Sequence, residues 1–379
     1  MVHIEDKRNC CGCSACAQRC PRHCITMQED EEGFLYPTVA TDTCINCGLC
    51  EEVCPYIHPD EPRQPITIET AINPDETIRK QSSSGGVFTM FAEQVLDKGG
   101  VVFGARFNDK WEVAHSHTET RDGLNSFRGS KYVQSSLENT FREAEEFLME
   151  GREVLFSGTP CQIAGLRLFL RKPYENLLTV AIACHSVPSP LIWREYLTGL
   201  HLSDISAIRF RDKRISWEQY GICVIHDKGR SFFQRYDRNP YMQLFLHGLS
   251  TRPACFNCPA KEGRSGADLV IGDCWGVSQI LPGAPNDHQG TSFVACLTEK
   301  GMQAAGSSGV RGQALPYDLV VSHNGGLTNR LTMPKERSAF WGAFRTKKNR
   351  QQVILRYARP YLPGFRNNLA RVFKRMRKK

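Results

Sequence analysis

The sequence predicts an α/β (α+β) protein in two parts, a small cysteine-rich N-terminal domain and a larger mixed α/β region. Three observations carry that prediction. Eight cysteines fall in two copies of one motif before Pro55. From Val87 to Ala183, stretches with helical apolar spacing alternate with short apolar runs of strand length. The chain has 379 residues, too many for the cysteine-rich block alone and enough for two or three domains.

In the first block, Cys10, Cys13, Cys16 and Cys20-Pro21 follow the pattern C-x2-C-x2-C-x3-C-P, and Cys44, Cys47, Cys50 and Cys54-Pro55 repeat it 34 residues later. Three closely spaced thiolates on a tight loop suit three corners of an iron–sulfur cube, and the fourth cysteine, opening a helix, ligates the other cube. One [4Fe–4S] cluster is therefore assigned to Cys10, Cys13, Cys16 and Cys54, and the other to Cys20, Cys44, Cys47 and Cys50. This is the pattern of a bacterial-type two-cluster ferredoxin. A zinc site calls for two C-x2-C pairs, not two triplets each closed by Cys-Pro. Cys11 and Cys24 are surplus and read as buried or free thiols.

His58–Gln64 is rich in proline and charge and reads as a linker. Ser82–Gly86 is a small-residue turn that opens a helix over Val87–Leu96, which Gly99-Gly100 stops. Val101–Ala105 reads as a buried strand, Leu137–Met149 as an amphipathic helix, Glu153–Phe156 as a strand, Ile163–Leu170 as a helix and Leu177–Ala183 as a strand. That alternation argues for α/β architecture. Further strands are expected at Ile208–Phe210, Ile222–Ile225, Leu269–Ile271 and Phe293–Leu297.

Composition bounds the function. Hydrophobic residues make up 41% and charged residues 23%, ordinary for a globular protein. A chain of this size needs no disulfide staples, so its 17 cysteines point to metal in a reducing setting, and a cytoplasmic location is expected. Met1–Lys7 carries no secretory pattern, and no apolar run reaches transmembrane length. The net charge is +8, of which Arg371–Lys379 supplies six charges. That tail reads as a solvated C-terminus or as a basic helix contacting an anionic membrane surface. No basic stripe interleaved with aromatics stands outside it, so nucleic acid is not an expected partner.

Seven phrases in order, SSSGGVF (82–88), GGVVFGA (99–105), GSKYVQS (129–135), FSGTPCQIAGL (156–166), CHSVPSP (184–190), RPACFNCPA (252–260) and ADLVIGDCWG (267–276), resemble the family of coenzyme F420 hydrogenase/dehydrogenase beta subunits. Two positions depart from the family's pattern: Ser186 follows Cys184-His185 where glycine is usual, and Cys274 stands where an aromatic is usual. The resemblance implies an iron–sulfur flavoprotein oxidoreductase. The expected division is a ferredoxin-type domain over 1–57, a linker over 58–70, the two parts of the family-like region over 71–150 and 151–345, and a basic tail over 346–379.

Four more cysteines lie in those phrases. Cys161 follows a strand and a Gly-Thr-Pro turn, Cys184 ends an apolar strand, and Cys255-x2-Cys258 forms a loop pair. Strand ends of an α/β sheet converge where ligands bind. The four suit a third [4Fe–4S] cluster, which the resemblance also implies; the alternatives are a zinc knuckle at Cys255/Cys258 or core thiols. No dinucleotide-binding or P-loop glycine motif is present. A flavin, FAD, follows from the resemblance alone. Ser84, Gly85 and Gly86 before a helix offer backbone N–H groups to a pyrophosphate, and Lys131 and Gln134 are candidates for phosphate or the isoalloxazine edge.

Iron–sulfur clusters pass single electrons, and a flavin exchanges one- and two-electron chemistry. The expected function is electron transfer between the ferredoxin-type clusters and a flavin that exchanges hydride with an organic two-electron substrate, F420-like or other. His185 and Asp273 are the catalytic candidates. A ferredoxin or partner subunit and a small-molecule hydride donor or acceptor are the expected partners. The alternatives are an electron-carrier subunit, or an accessory protein of polysaccharide assembly, without a substrate of its own.

Overall fold

The structure, a computed structural model, describes residues 1–282 and 287–363. Its strands are β1 (Ile25–Glu29), β2 (Leu35–Val39), β3 (Thr67–Ala71), β4 (Val101–Phe107), β5 (Val113–Thr118), β6 (Val154–Gly158), β7 (Leu177–Ile182), β8 (Ala207–Asp212), β9 (Gly221–His226), β10 (Arg230–Arg235), β11 (Leu269–Asp273) and β12 (Ser292–Cys296). Seven of them form one sheet in the order β3-β12-β11-β7-β6-β4-β5. The four central strands β4, β6, β7 and β11 run parallel, and the flanking pairings are antiparallel.

Both faces of this sheet are covered, which is why β6 and β7 are apolar without alternation. Val101, Phe103, Val154 and Phe156 pack with helices Thr140–Met149 and Pro160–Leu170 on one face. Val102, Leu155 and Leu178 pack with helices Val87–Asp97 and Glu299–Ser307 on the other. A second sheet, β10-β9-β8, rests with helices Pro190–Thr198, Pro240–Leu246, Arg337–Thr346 and Arg350–Ala358 around a separate aromatic-rich core.

Two expected boundaries are corrected. The linker expected over 58–70 is shorter, because β3 starts at Thr67 and takes an edge of the large sheet. The basic tail expected from 346 includes a packed helix, Arg350–Ala358, whose Val353, Ile354 and Ala358 are buried. Arg371–Lys379, with its solvated and membrane-contacting readings, lies outside the described residues. No helix among the described residues is long and apolar enough to cross a membrane.

The cysteine-rich module is docked onto the rest, not suspended from it. Cys11, Cys13, Ala15 and Val53 belong to the core of the large sheet. In the β1–β2 turn, Asp30 accepts the backbone N–H groups of Glu32 and Phe34 at 3.0 and 2.9 Å. That turn needs glycine at 33: φ is +82°, and a Cβ would stand 2.3 Å from Leu191 Cβ. Beside it, the carboxylate of Glu32 is buried against both terminal nitrogens of Arg337, which also donates to Thr251 O at 2.9 Å. Removing one partner of a buried ion pair leaves the other charge without compensation. Arg337→Met is expected to destabilise the protein by about 3–5 kcal/mol, and Glu32→Gln with Arg337→Met to recover most of that loss. Denaturant unfolding of both variants, followed by tryptophan fluorescence, checks this.

Candidate functional site

The motif cysteines of the N-terminal module stand around two partly open cavities. Cys20, Cys44, Cys47 and Cys50 line one, and Cys10, Cys13, Cys16 and Cys54 line the other, so each wall takes three thiols from one motif and the fourth from its twin. The first cavity is the outer one, with Cys47 exposed. The two adjoin, since Cys16 and Cys54 both feel the charge of Cys50. Of the surplus thiols, Cys24 lines the outer cavity, 3.3 Å from Cys20 Sγ, and Cys11 lines the inner one.

Cys161, Cys184, Cys255 and Cys258 are brought together as a third set, every pair of them within electrostatic reach. Parallel β6 and β7 supply the first two: Cys161 sits in the first turn of helix Pro160–Leu170 after β6, and Cys184 two residues past β7. The loop Pro253–Asn257 and its C-cap supply the others. Cys11 joins the sets, its side chain hydrogen-bonded to Cys13 on one side and to Cys161 on the other. Helix Pro160–Leu170 comes that close because residue 165 is glycine, where a Cβ would lie 2.9 Å from Cys13 Sγ.

Burial pushes the thiols of Cys16 and Cys184 up to about 12 and that of Cys258 to about 11. Thiols so placed keep their protons unless a metal displaces them. Among the described residues no three His, Cys, Asp or Glu side chains are placed to hold a single metal ion. The motif thiols instead ring open space, and soft donors around such space fit a multi-iron cluster.

Two buried cations accompany the thiols. Arg252 lies between the inner cavity and the third set, its Nε donating to Cys10 O at 2.7 Å and its Nη2 3.6 Å from Cys10 Sγ. Lys261 donates to the carbonyls of Cys184 and Gly326. Neither stands out in the sequence, although both flank Cys255-x2-Cys258 within three residues.

Next to Cys184, the end of β11 brings up Asp273. Its carboxylate is fully engaged: Arg211 donates to both oxygens at 3.0 Å, and Trp217 Nε1 donates to Oδ1 at 2.7 Å. Trp217 stacks on Trp275 at 4.5 Å, and the Arg211 guanidinium lies 4.0 Å over Tyr220 and donates to the Tyr132 hydroxyl. Asp273 therefore holds a buried arginine and a tryptophan pair in place, with one hydrogen bond on Oδ2 and two on Oδ1. His185 is solvent-accessible, its ring edge-on to Phe245.

The expected flavin residues divide. Ser84 and Gly85 are tied to β12 and its approach by Ser84 Oγ to Thr291 O (2.8 Å) and Gly85 N to Ser292 Oγ (3.0 Å). Gly85 is needed for packing, since a Cβ would meet Ala71 O at 2.4 Å, and Gly86 opens helix Val87–Asp97 with φ +82°. The Gly85 N–H is thus not free for a phosphate. Lys131 stands close to this turn, with Ser130 N bonded to Ser83 Oγ. Its ammonium donates to the carbonyls of Arg128 and Gly129 and, among the described residues, has no carboxylate partner. Gln134 is elsewhere: its amide bridges Cys11 O and Arg252 Nη1 at the seam with the cysteine-rich module, so it does not face the turn's ligand position. Lys213, missed by the sequence reading, donates to three carbonyls, those of Arg79, Ser84 and Gln289. Cations without carboxylates beside stacked aromatics fit an anionic, planar group such as a flavin nucleotide.

Cysteine-lined cavities in a module docked on an α/β sheet define an iron–sulfur protein of the electron-transfer class. A 4Fe–4S dicluster domain matches residues 9–57, so the module binds 4Fe–4S clusters. The models for the N- and C-terminal parts of the coenzyme F420 hydrogenase/dehydrogenase beta subunit match residues 69–141 and 151–310, and the chain belongs to this oxidoreductase family. Among curated proteins it is 28% identical over 307 residues to the coenzyme F420-dependent sulfite reductase of Methanocaldococcus jannaschii, covering 79% of this chain and 46% of that protein. It is 22% identical to a subunit of the F(420)H(2) dehydrogenase of Methanosarcina mazei, over 61% of this chain and 70% of the relative. The chain thus spans less than half of the first relative. A chain of the F420-reducing [NiFe] hydrogenase complex from Methanosarcina barkeri superposes with TM-score 0.46 and 17% identity, over 76% of this chain and 95% of that one.

Two outcomes are expected at Asp273 and Lys131. Asp273→Asn keeps the shape but strips Arg211 of its counter-charge, and is expected to cost about 3–5 kcal/mol, read as a lowered thermal midpoint accompanying any loss of activity. Burial lowers Lys131 to about 7 from 10.5. Between those values the unfolded chain holds a proton that the folded chain has released, so stability rises with pH across that window. Lys131→Met is expected to remove the steep part of that rise, leaving the smaller slope above about 8 from Lys213. Thermal midpoints measured against pH check it.

Proposed function

We propose that the chain is an oxidoreductase that conducts single electrons through three four-cysteine sets to a flavin-binding cleft, where a two-electron organic substrate is turned over. One observation carries the reading. The outer set (Cys20, Cys44, Cys47, Cys50), the inner set (Cys10, Cys13, Cys16, Cys54) and the third set (Cys161, Cys184, Cys255, Cys258) follow one another through contacts at Cys50 and at Cys11. Such a series has no use in a structural protein. It runs from the exposed Cys47 to the strand ends where an α/β sheet gathers its ligands.

Each set would hold one [4Fe–4S] cluster, supplying one-electron steps, and FAD in the cleft would supply the exchange with hydride chemistry. The chain's own residues do the rest. Cys161 is pushed up by its neighbour Cys11 and by burial, so its thiolate would need iron to displace the proton. Lys131 and Lys213 offer positive charge to an anionic nucleotide near Ser84. Trp217, Trp275 and Tyr220 form an aromatic wall that Arg211 and Asp273 hold rigid. His185, accessible beside Cys184, is a candidate for moving a proton to substrate. The relatives' names make an F420-type deazaflavin the first substrate to try, and a ferredoxin or partner subunit the source of electrons at the outer set.

Anaerobic purification with iron, acid-labile sulfide and flavin analysis tests this. About twelve irons and one flavin per chain are expected, falling to about eight irons in Cys161→Ser/Cys255→Ser. About eight irons in the unaltered protein and no flavin after reconstitution would favour the alternative, an electron-carrier subunit with no substrate of its own.

A further inference from the structure

Arg252 is among the largest fully buried side chains, at 0% exposure. Its guanidinium donates to Cys10 O, Leu35 O (2.9 Å) and Gln134 Oε1 (3.0 Å), and it lies 4.3 Å over the Tyr36 ring. Gly12 admits it: a Cβ there would stand 2.8 Å from Arg252 Nη1. Among the described residues no carboxylate pairs with it, and the ionisable groups that act on it most are Cys10, Tyr36, Cys11 and Cys255. A buried guanidinium with only neutral acceptors is costly, because hydrogen bonds to carbonyls do not cancel its charge. The missing negative charge has one source within contact, the thiolate at Cys10 and whatever it ligates.

Among the described residues the outer set has no equivalent. The cations near it are the exposed Arg22 and the Met1 amine, and the latter is already paired with Glu51. Reduction of a four-iron cluster adds one electron and no proton, so its negative charge grows by one. A fixed cation in a low-dielectric interior stabilises that extra charge and raises the potential, whereas exposed charges are screened.

We propose that Arg252 is the built-in counter-charge of the inner set, making a cluster held by Cys10, Cys13, Cys16 and Cys54 easier to reduce than one held by Cys20, Cys44, Cys47 and Cys50, so that electrons run inward from a low-potential one-electron donor. This rests on the reading that both sets hold four-iron clusters. Arg252 acts through the cluster and touches no substrate; it is a positioning residue for charge.

The test is an anaerobic titration with dithionite and mediators, followed by electron paramagnetic resonance, on unaltered protein, Arg252→Lys and Arg252→Gln. Cys47→Ser marks the outer signal. In the unaltered protein the inner signal is expected to appear first. In Arg252→Gln the reduced-to-oxidised ratio of the inner cluster is expected to fall at least about tenfold at equal poise, equivalent to ~59 mV for a one-electron couple, while the outer signal stays. Arg252→Lys, which keeps the charge, is expected to hold that ratio within about twofold. An unmoved inner potential in Arg252→Gln with full iron overturns this inference alone, as does an outer cluster that reduces first in the unaltered protein. Iron well below eight in the unaltered protein overturns the cluster reading and this inference with it. Should Arg252→Gln fail to assemble, the order of reduction in the unaltered protein decides.

Discussion

Burying charge is the constraint that organises this molecule, and the guanidinium of Arg252 is where it is met most severely. The side chain is sealed between the cysteine-rich module and the sheet, and its donors reach into both, to Cys10 and Leu35 on one side and Gln134 on the other. A group with five N–H donors in fixed geometry fits only if the surrounding carbonyls are held to a few tenths of an ångström. The docking of the module, the glycine at 12 and the commitment of Gln134 all follow from making room for it. The Glu32–Arg337 pair fastens the same module a second time, at its hairpin.

The second organising fact is the direction of the strands. Because β6, β7 and β11 run parallel, their C-terminal ends open on one edge, and the chain leaves each of them through a chemically loaded turn: Thr159–Cys161, Cys184–His185 and Asp273–Trp275. An antiparallel arrangement would have sent alternate turns to opposite edges. The thiols, the histidine and the aromatic wall share one edge for this reason. The module docks there too, since Gly165 in the helix after β6 accepts Cys13.

Much of this was legible in the sequence, and the reason differs from part to part. Cysteine spacing is local, so the motif triplets and the exchange of Cys20 and Cys54 between them could be read directly, and the cavities have those walls. Buried parallel strands are continuous apolar runs, and β4, β6, β7 and β11 were found within a residue or two. The β1–β2 hairpin escaped because ITMQE and LYPTV are short and only partly buried. Edge strand β3 escaped because its apolar residues are few and its Pro-rich approach reads as linker. The arginine partner of Asp273 was not legible, because Arg211 is 62 positions away in sequence and only the packing of the two sheets joins them. The partners of Gln134 were hidden for the same lack of long-range information, since Cys11 and Arg252 lie 123 and 118 positions away.

The charges left over after all pairing point in one direction. Arg211 and Asp273 cancel each other, as do Arg337 and Glu32. Arg252, Lys261 and Lys131 do not: each is held by neutral acceptors, with no carboxylate partner among the described residues. Arg252 and Lys261 are buried and make the interior around the cysteine sets electropositive, which a low-dielectric interior does not tolerate unless anionic groups fill it. Thiolates made permanent by iron would answer Arg252 and Lys261, which lie against the inner and third cysteine sets. Lys131 stands apart from those sets, beside the turn at Ser83 and Ser84. Burial lowers its proton affinity, and an ammonium beside a phosphate would regain the proton that burial removes. On the proposed reading, an anionic nucleotide beside this turn would be bound together with that proton, which is a reason, independent of any motif, for a lysine to stand there.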